Sequence, residues 1–119
     1  MGNGGKRMKL FDYMKLVPDG EEITVFDKEY DVETYFYGGC DTGWQDLMLS
    51  LADLLKVTKI TSSGITVNLS DVIEKHIDKL EKEDLFEDYD IDTIMSEMNN
   101  IISGAVSESW MKRFIECLK

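Results

Sequence analysis

The sequence is poor in the residues that build metal sites, disulfide frameworks and flexible linkers. Its 119 residues include two cysteines, one histidine and one proline. One histidine and two distant cysteines cannot supply the four ligands of a structural zinc site at normal spacing. Two cysteines so far apart favour free thiols over a disulfide framework. With Pro18 as the only proline, no proline-rich linker divides the chain.

Long apolar runs and basic residues are also scarce. No apolar stretch approaches the ~20 residues that span a membrane, and the start shows no signal-peptide core, so a cytoplasmic protein is expected. The chain has 13 Lys and Arg against 24 Asp and Glu, a net charge of −11. Direct nucleic-acid binding needs a basic face, so this balance argues against it.

The apolar content that is present is enough for one folded core. Hydrophobic residues make up 43% of the chain and aromatic residues 10%, which suits a globular domain of ordinary size. The first residues offer nothing to bury. We therefore expect residues 1–7 to be a disordered segment or a tag remnant, and residues 8–119 to form a single α+β domain.

Two pairs of β-rich runs predict two hairpins. Residues 23–26 and 32–37 flank a polar tip at 27–29, and residues 57–60 and 65–69 flank Ser62, Ser63 and Gly64. In the second run, alternation places Val32, Thr34 and Phe36 on one face. Because helices separate the hairpins, the sequence predicts an antiparallel sheet with helices packed on it.

Apolar residues at helical spacing predict five helices, which gives the order α-ββ-α-ββ-α-α-α. Their apolar positions fall within residues 10–17, 44–55, 72–80, 91–102 and 110–118. The candidate N-caps are Thr42, Asn68 or Ser70, Asp90 or Asp92, and Ser107. Gly104 is expected to end the fourth helix.

Cys40 is the one candidate nucleophile. It follows Gly38 and Gly39 just before a helix, where a thiol pKa can be lowered. Such a nucleophile needs a base, and His76 is the only histidine. His76 borders an apolar helix face, where solvent or a nearby carboxylate satisfies it, and Cys117 lies on an apolar stripe that predicts burial.

No cofactor or metal is expected. Residues 88–92 begin like a calcium loop, but its sixth position is Thr93 rather than glycine and its twelfth is Asn99 rather than glutamate. The glycine-rich segment 38–43 lacks the Lys-Ser/Thr ending of a phosphate loop. Carboxylate pairs for hydrolysis cannot be singled out among so many acids.

Charge is distributed unevenly along the chain. Residues 19–53 hold ten acids against Lys28, and residues 70–97 hold eleven acids against three lysines. Such runs are either solvated faces or a surface that meets a basic protein partner. The candidate protein-binding residues are Asp31, Glu33, Tyr35 and Tyr37 on one strand face, and Glu83, Asp84, Glu87 and Asp88 in an acidic segment. The competing explanation places both tyrosines beneath a helix.

A family resemblance is carried by two segments of the chain. They are residues 8–37, which read MKLFDYMKLVPDGEEITVFDKEYDVETYFY, and residues 67–70, which read VNLS. They resemble small uncharacterised acidic proteins of Gram-positive gut bacteria and their mobile elements. The resemblance contains no catalytic motif. It implies an accessory role on a mobile element and assigns no functional residue.

The sequence therefore predicts a non-enzymatic acidic module that engages a basic protein partner. One alternative is a small enzyme that uses the Cys40 loop or a carboxylate pair. Another is a homo-oligomeric structural protein joined through its C-terminal helices. The last helix carries Trp110, Met111, Phe114 and Leu118, so a homodimer through that region is a further expectation.

Overall fold

The computed structural model describes residues 8–38 and 43–119. The predicted N-terminal segment 1–7, the candidate nucleophile Cys40 and the candidate cap Thr42 lie outside the described residues. Predictions that depend on them stay predictions.

Four strands form one mixed sheet in the order β2-β1-β4-β3. The strands are β1 (Glu22–Asp27), β2 (Glu33–Tyr37), β3 (Val57–Thr61) and β4 (Gly64–Val67). Both predicted hairpins are confirmed, because β1 pairs with β2 and β3 pairs with β4 antiparallel. The prediction of a purely antiparallel sheet is wrong, because β1 and β4 pair in parallel at its centre. The helix between the hairpins provides the long crossover that parallel neighbours require.

The described part of the chain also forms six α-helices and one π-helical segment. They are α1 (Leu10–Leu16), α2 (Gly43–Ala52), α3 (Leu69–Lys75), α4 (Ile77–Lys82), α5 (Ile91–Asn100), the π-helical segment Ile101–Ala105, and α6 (Glu108–Cys117). The predicted caps Asp90 and Ser107 are confirmed, since their side chains accept hydrogen bonds from Thr93 N and Trp110 N. Gly104 has φ 102° and interrupts the helical backbone geometry inside the π-helical segment, one residue before its end.

One predicted helix is broken in two at His76. The sequence predicted a continuous helix through residues 72–80, whereas α3 ends at Lys75 and α4 begins at Ile77. His76 has φ −117° and ψ 19°, and its Nδ1 lies 2.7 Å from the carbonyl oxygen of Val72. This contact between a side chain and the backbone competes with the helical ladder at that point.

The core lies between one face of the sheet and the helices. Inward strand residues Ile23, Val25, Phe36, Ile65 and Val67 are buried, and so are residues from every helix. Met111, Phe114 and Leu118 of the C-terminal helix region belong to this core. The apolar stripe that suggested a homodimer is therefore covered within the chain, and the homodimer stays a prediction.

Candidate functional site

The acidic and aromatic face predicted for β2 is the open face of the sheet. Along the strand, Thr34 and Phe36 are buried while Glu33, Tyr35 and Tyr37 are exposed. Tyr35 is 37% exposed and Tyr37 43%. Both side chains therefore keep a substantial exposed area. Asp31 lies in the connection between β1 and β2 and is also exposed.

Neighbouring strands extend this open face. Glu22 pairs with Tyr37, Thr24 with Tyr35, and Phe26 with Glu33. Beside them, Gly64 has φ 155°, and a Cβ there would lie 2.9 Å from the Phe26 ring. Glycine at this position leaves room for the close approach of the Phe26 ring and of the main-chain oxygen of Thr24. The open face is thus partly aromatic and carries two carboxylates.

Tyr35 and Glu33 contact each other on this face. The Tyr35 hydroxyl donates a 2.9 Å hydrogen bond to Glu33 Oε2. That bond and the burial of the hydroxyl beside the carboxylate raise the pKa of Tyr35. Tyr35 and Glu33 thus use part of their hydrogen-bonding capacity on each other. Tyr37 is therefore the more available of the two rings for a partner.

The acidic segment 83–90 is a loop anchored by apolar side chains. Its exposed acids include Glu83, Asp84, Glu87 and Asp88. Between them, Leu85 and Phe86 are each only 8% exposed. The sequence predicted a loop or a loose turn here, and the burial of two side chains shows what holds this loop in place.

Aromatic rings from the loop and from α6 pack around this anchor. The Phe86 ring lies edge-on to Trp110, with centroids 5.3 Å apart, and Trp110 stacks on Phe114 at 5.3 Å. The indole Nε1 of Trp110 donates to Leu85 O at 3.2 Å, and Phe86 N donates to the Tyr89 hydroxyl at 3.0 Å. The loop and the helix therefore hold the indole in a fixed position.

A pocket of ≈ 580 Å³ opens beside this cluster. We name it the acidic aromatic pocket, and its lining residues are Leu85, Phe86, Glu87, Asp88, Thr93, Glu97, Ile101, Val106 and Trp110. Three of them are carboxylates, and none of the described residues that line it is basic. An apolar wall with carboxylates nearby suits a cation that also has a flat or apolar portion.

The structure brings only some of the predicted site residues together. Glu87 and Asp88 line the acidic aromatic pocket, whereas Glu83 pairs with Arg113 at 3.3 Å and Asp84 lies in an exposed turn with φ 56°. The β2 residues contribute nothing to this pocket and form a separate surface. The two predicted groups are therefore two surfaces.

Of the residues that carry the pocket's chemistry, sequence reasoning assigned Glu87 and Asp88 to a site but not Phe86, Glu97 or Trp110. Glu97 was counted only within a charge run, and Trp110 was assigned to an apolar stripe. A tryptophan at the edge of such a stripe was the available signal, because it buries its ring partly and keeps one side for contact. Trp110 is half-buried, as that position implies.

His76 and Cys117 each contact a main-chain carbonyl oxygen. The His76 Nδ1 is engaged by the carbonyl oxygen of Val72, so that one ring nitrogen is unavailable to a nucleophile. Cys117 is buried as predicted, and this burial raises the pKa of its thiol. A raised pKa keeps the thiol protonated and weakly nucleophilic near neutral pH.

Residues 8–38 and 43–119 contain neither a cluster of metal-ligating side chains nor a membrane-spanning helix. Within these ranges, no three His, Cys, Asp or Glu side chains come close enough to hold a metal ion. None of the helices described there has the length and apolar character needed to cross a bilayer.

Comparison with known protein families, curated proteins and solved structures finds no match to this chain. Its function must therefore be argued from its own residues.

Proposed function

We propose that the protein is a non-enzymatic binding module that takes an arginine-bearing segment of a basic partner protein into the acidic aromatic pocket. The observation that carries the proposal is the pocket itself. Glu87, Asp88 and Glu97 lie around a wall that contains Phe86 and Trp110. An accessory role on a mobile element remains a prediction that rests on the resemblance alone.

Arginine fits this pocket better than lysine for geometric reasons. A guanidinium is planar, so it can stack on an aromatic ring while its N–H groups bind carboxylates. The Trp110 ring is held by its bond to Leu85 O, and the carboxylates of Glu87 and Asp88 come from the anchored loop. Such a preorganised site loses little conformational entropy on binding.

The charge of the whole chain supports a basic partner. With a net charge of −11, long-range attraction speeds the encounter with a positive surface. Short-range contacts in the acidic aromatic pocket then select the side chain. The open sheet face with Tyr37 is a second surface on which the same partner could extend its contact.

The test is the binding of a short fluorescent oligoarginine peptide, measured by anisotropy. Replacing Glu87→Gln together with Glu97→Gln removes two charges from the pocket. Glu22→Gln together with Glu33→Gln removes two charges from the open sheet face and is the matched control. We expect the pocket variant to weaken binding about tenfold and the control about twofold.

Two results would contradict the proposal. Equal weakening by both variants would mean that only net charge matters. A larger effect from the control would move the site to the open sheet face. An oligolysine peptide should bind more weakly than oligoarginine at matched length, since a guanidinium offers two N–H groups to a carboxylate while it packs against an aromatic ring, whereas an ammonium acts as a point charge. Near-ultraviolet circular dichroism of each variant checks that the fold is retained.

A further inference from the structure

We propose that a groove between α4 and α6 binds a small molecule with one anionic head and an apolar body. This site is separate from the acidic aromatic pocket and does not depend on the function proposed above. We name it the basic groove. It has a volume of ≈ 570 Å³ and is lined by Lys79, Lys82, Glu83, Lys112, Arg113, Glu116 and Cys117.

The basic groove concentrates positive charge in a strongly acidic chain. It holds four of the 13 Lys and Arg residues, two from α4 and two from α6. Like charges at such spacing repel each other. A bound anion would relieve that repulsion, so the clustering itself points to an anionic ligand.

The two acids of the groove are already engaged, Glu83 by Arg113 within the groove and Glu116 by Lys119 beside it. Glu83 receives the Nε of Arg113 at 3.3 Å, and its carbonyl oxygen receives a 2.6 Å bond from the same guanidinium. Glu116 pairs with Lys119 at 2.9 Å. Neither acid therefore neutralises the positive charge of a lysine in the groove.

Two of the lysines are available for a ligand. Within residues 8–38 and 43–119, Lys82 and Lys112 make no ion pair and no hydrogen bond through their ammonium groups. Lys79 donates a long 3.4 Å bond to the main-chain oxygen of Lys119. Lys82 and Lys112 are therefore the residues that we assign to the anionic head.

The apolar body of the proposed ligand is inferred from the residues that line the basic groove. Cys117 is 5% exposed, and its Sγ lies 3.6 Å from the carbonyl oxygen of Lys79. The lysine side chains contribute their methylene stems to the walls while their ammonium groups reach water. A ligand with an alkyl or ring portion would cover this surface.

Size and charge both favour a small molecule over a polyanion. The volume falls within the ~300–1,000 Å³ typical of small-molecule sites. A long polyanion would be repelled by the net charge of −11, whereas a compact ligand responds to charges within a screening length of ~8 Å. Carboxylate and phosphate heads share this chemistry.

The experiment is an amide NMR titration of the full chain with octanoate and, separately, with octyl phosphate. Both probes carry one anionic head group on an apolar tail. We expect saturable shifts centred on α4 and α6 from at least one probe, and the stronger probe identifies the preferred head group. Lys82→Glu with Lys112→Glu should weaken binding about tenfold or more. Lys56→Glu with Lys59→Glu makes the same charge change on and beside β3, and it should alter affinity by less than about twofold.

Several outcomes would overturn the proposal. Neutral octanamide binding as tightly as both anions would show that the head group is irrelevant. Inorganic phosphate binding as tightly as octyl phosphate would show that an apolar body contributes nothing to the affinity. Unchanged affinity in the Lys82 and Lys112 variant, with its remaining spectrum intact, would place the ligand elsewhere. The absence of saturable shifts from either probe would reject the site.

Discussion

The carboxylate of Asp27 is buried and accepts three main-chain hydrogen bonds. Its Oδ2 receives the N–H groups of Glu29 and Tyr30 at 2.8 Å each, and its Oδ1 receives that of Ser70 at 2.7 Å. The first two bonds shape the turn after β1, and the third satisfies a free N–H in the first turn of α3. One side chain therefore joins the sheet to a helix.

We predict that Asp27→Ala lowers the free energy of unfolding by about 2–4 kcal/mol, because it leaves the buried N–H of Ser70 and two part-buried N–H groups without their acceptor. Asp31→Ala, in the same turn but exposed, should change it by less than about 0.5 kcal/mol. Urea unfolding of both variants is the measurement. Similar small changes in the two would show that Asp27 contributes no more than a surface acid.

The functional residues were only partly predictable at this scale. Glu87 and Asp88 stood out because they belong to a run of acids, which is a local property of the sequence. Glu97 and Trp110 reach the same pocket from α5 and α6, and their meeting depends on how the two helices pack. No spacing rule within the chain encodes that meeting.

At the scale of elements, local patterns were reliable and long-range pairing was not. The hairpins and the caps at Asp90 and Ser107 depend on residues that are near one another in sequence. The parallel pairing of β1 with β4 joins residues about forty positions apart (Val25 with Ile65). It depends on the path of the crossover, which alternation within a strand does not specify. The break at His76 was missed because the apolar residues before and after it keep the spacing of one continuous helix.

The end of β2 shows how tightly two elements can be joined. Gly38 N donates to Glu21 O at 2.9 Å, and Gly20 N donates to Gly38 O at 3.0 Å. A Cβ on Gly38 would lie 2.6 Å from Val17 O and closer still to Pro18 O. Only glycine lets the strand end approach the turn after α1 so closely.

We predict that Gly38→Ala lowers the free energy of unfolding by about 1–3 kcal/mol, since main-chain atoms must shift to admit the methyl group. The matched control is Gly43→Ala. A Cβ there would meet only the flexible carboxylate of Glu108, at 2.9 Å, so the loss should stay below about 0.5 kcal/mol. Thermal or urea unfolding compares the two, and equal losses would contradict the argument.

At the scale of the whole molecule, α6 links two surfaces of opposite character. Trp110 faces the acidic aromatic pocket, while Lys112 and Arg113 line the basic groove. The ion pair of Arg113 with Glu83 ties α6 to the loop that both surfaces share. A variant in one surface can therefore be tested against the other for coupling between the two proposed sites.

Among the residues that the structure describes, four groups have shifted pKa values, and all four shift upward. Burial raises the pKa of the Cys117 thiol. Burial is also the main cause that raises the pKa of Tyr30, and the Asp92 carboxylate is the second cause. The hydrogen bond to Glu33 raises the pKa of Tyr35, and the hydrogen bond to Asp71 raises that of Lys28. A group whose pKa is higher in the folded state contributes stability below its unfolded pKa and loses it as pH rises through the folded value.

We therefore predict that the protein loses stability at alkaline pH. The ordinary pKa values are 9.0 for cysteine, 10.0 for tyrosine and 10.5 for lysine, so the loss should begin near pH 9 and steepen above it. Urea unfolding between about pH 8 and pH 11 measures it.

Cys117→Ser should remove the earliest part of the loss and leave the later part. About 1 M KCl should leave the Cys117 part of the loss in place, because salt screens exposed charges such as the Lys28–Asp71 pair far more than a buried group. A stability that is constant across this range would contradict the prediction.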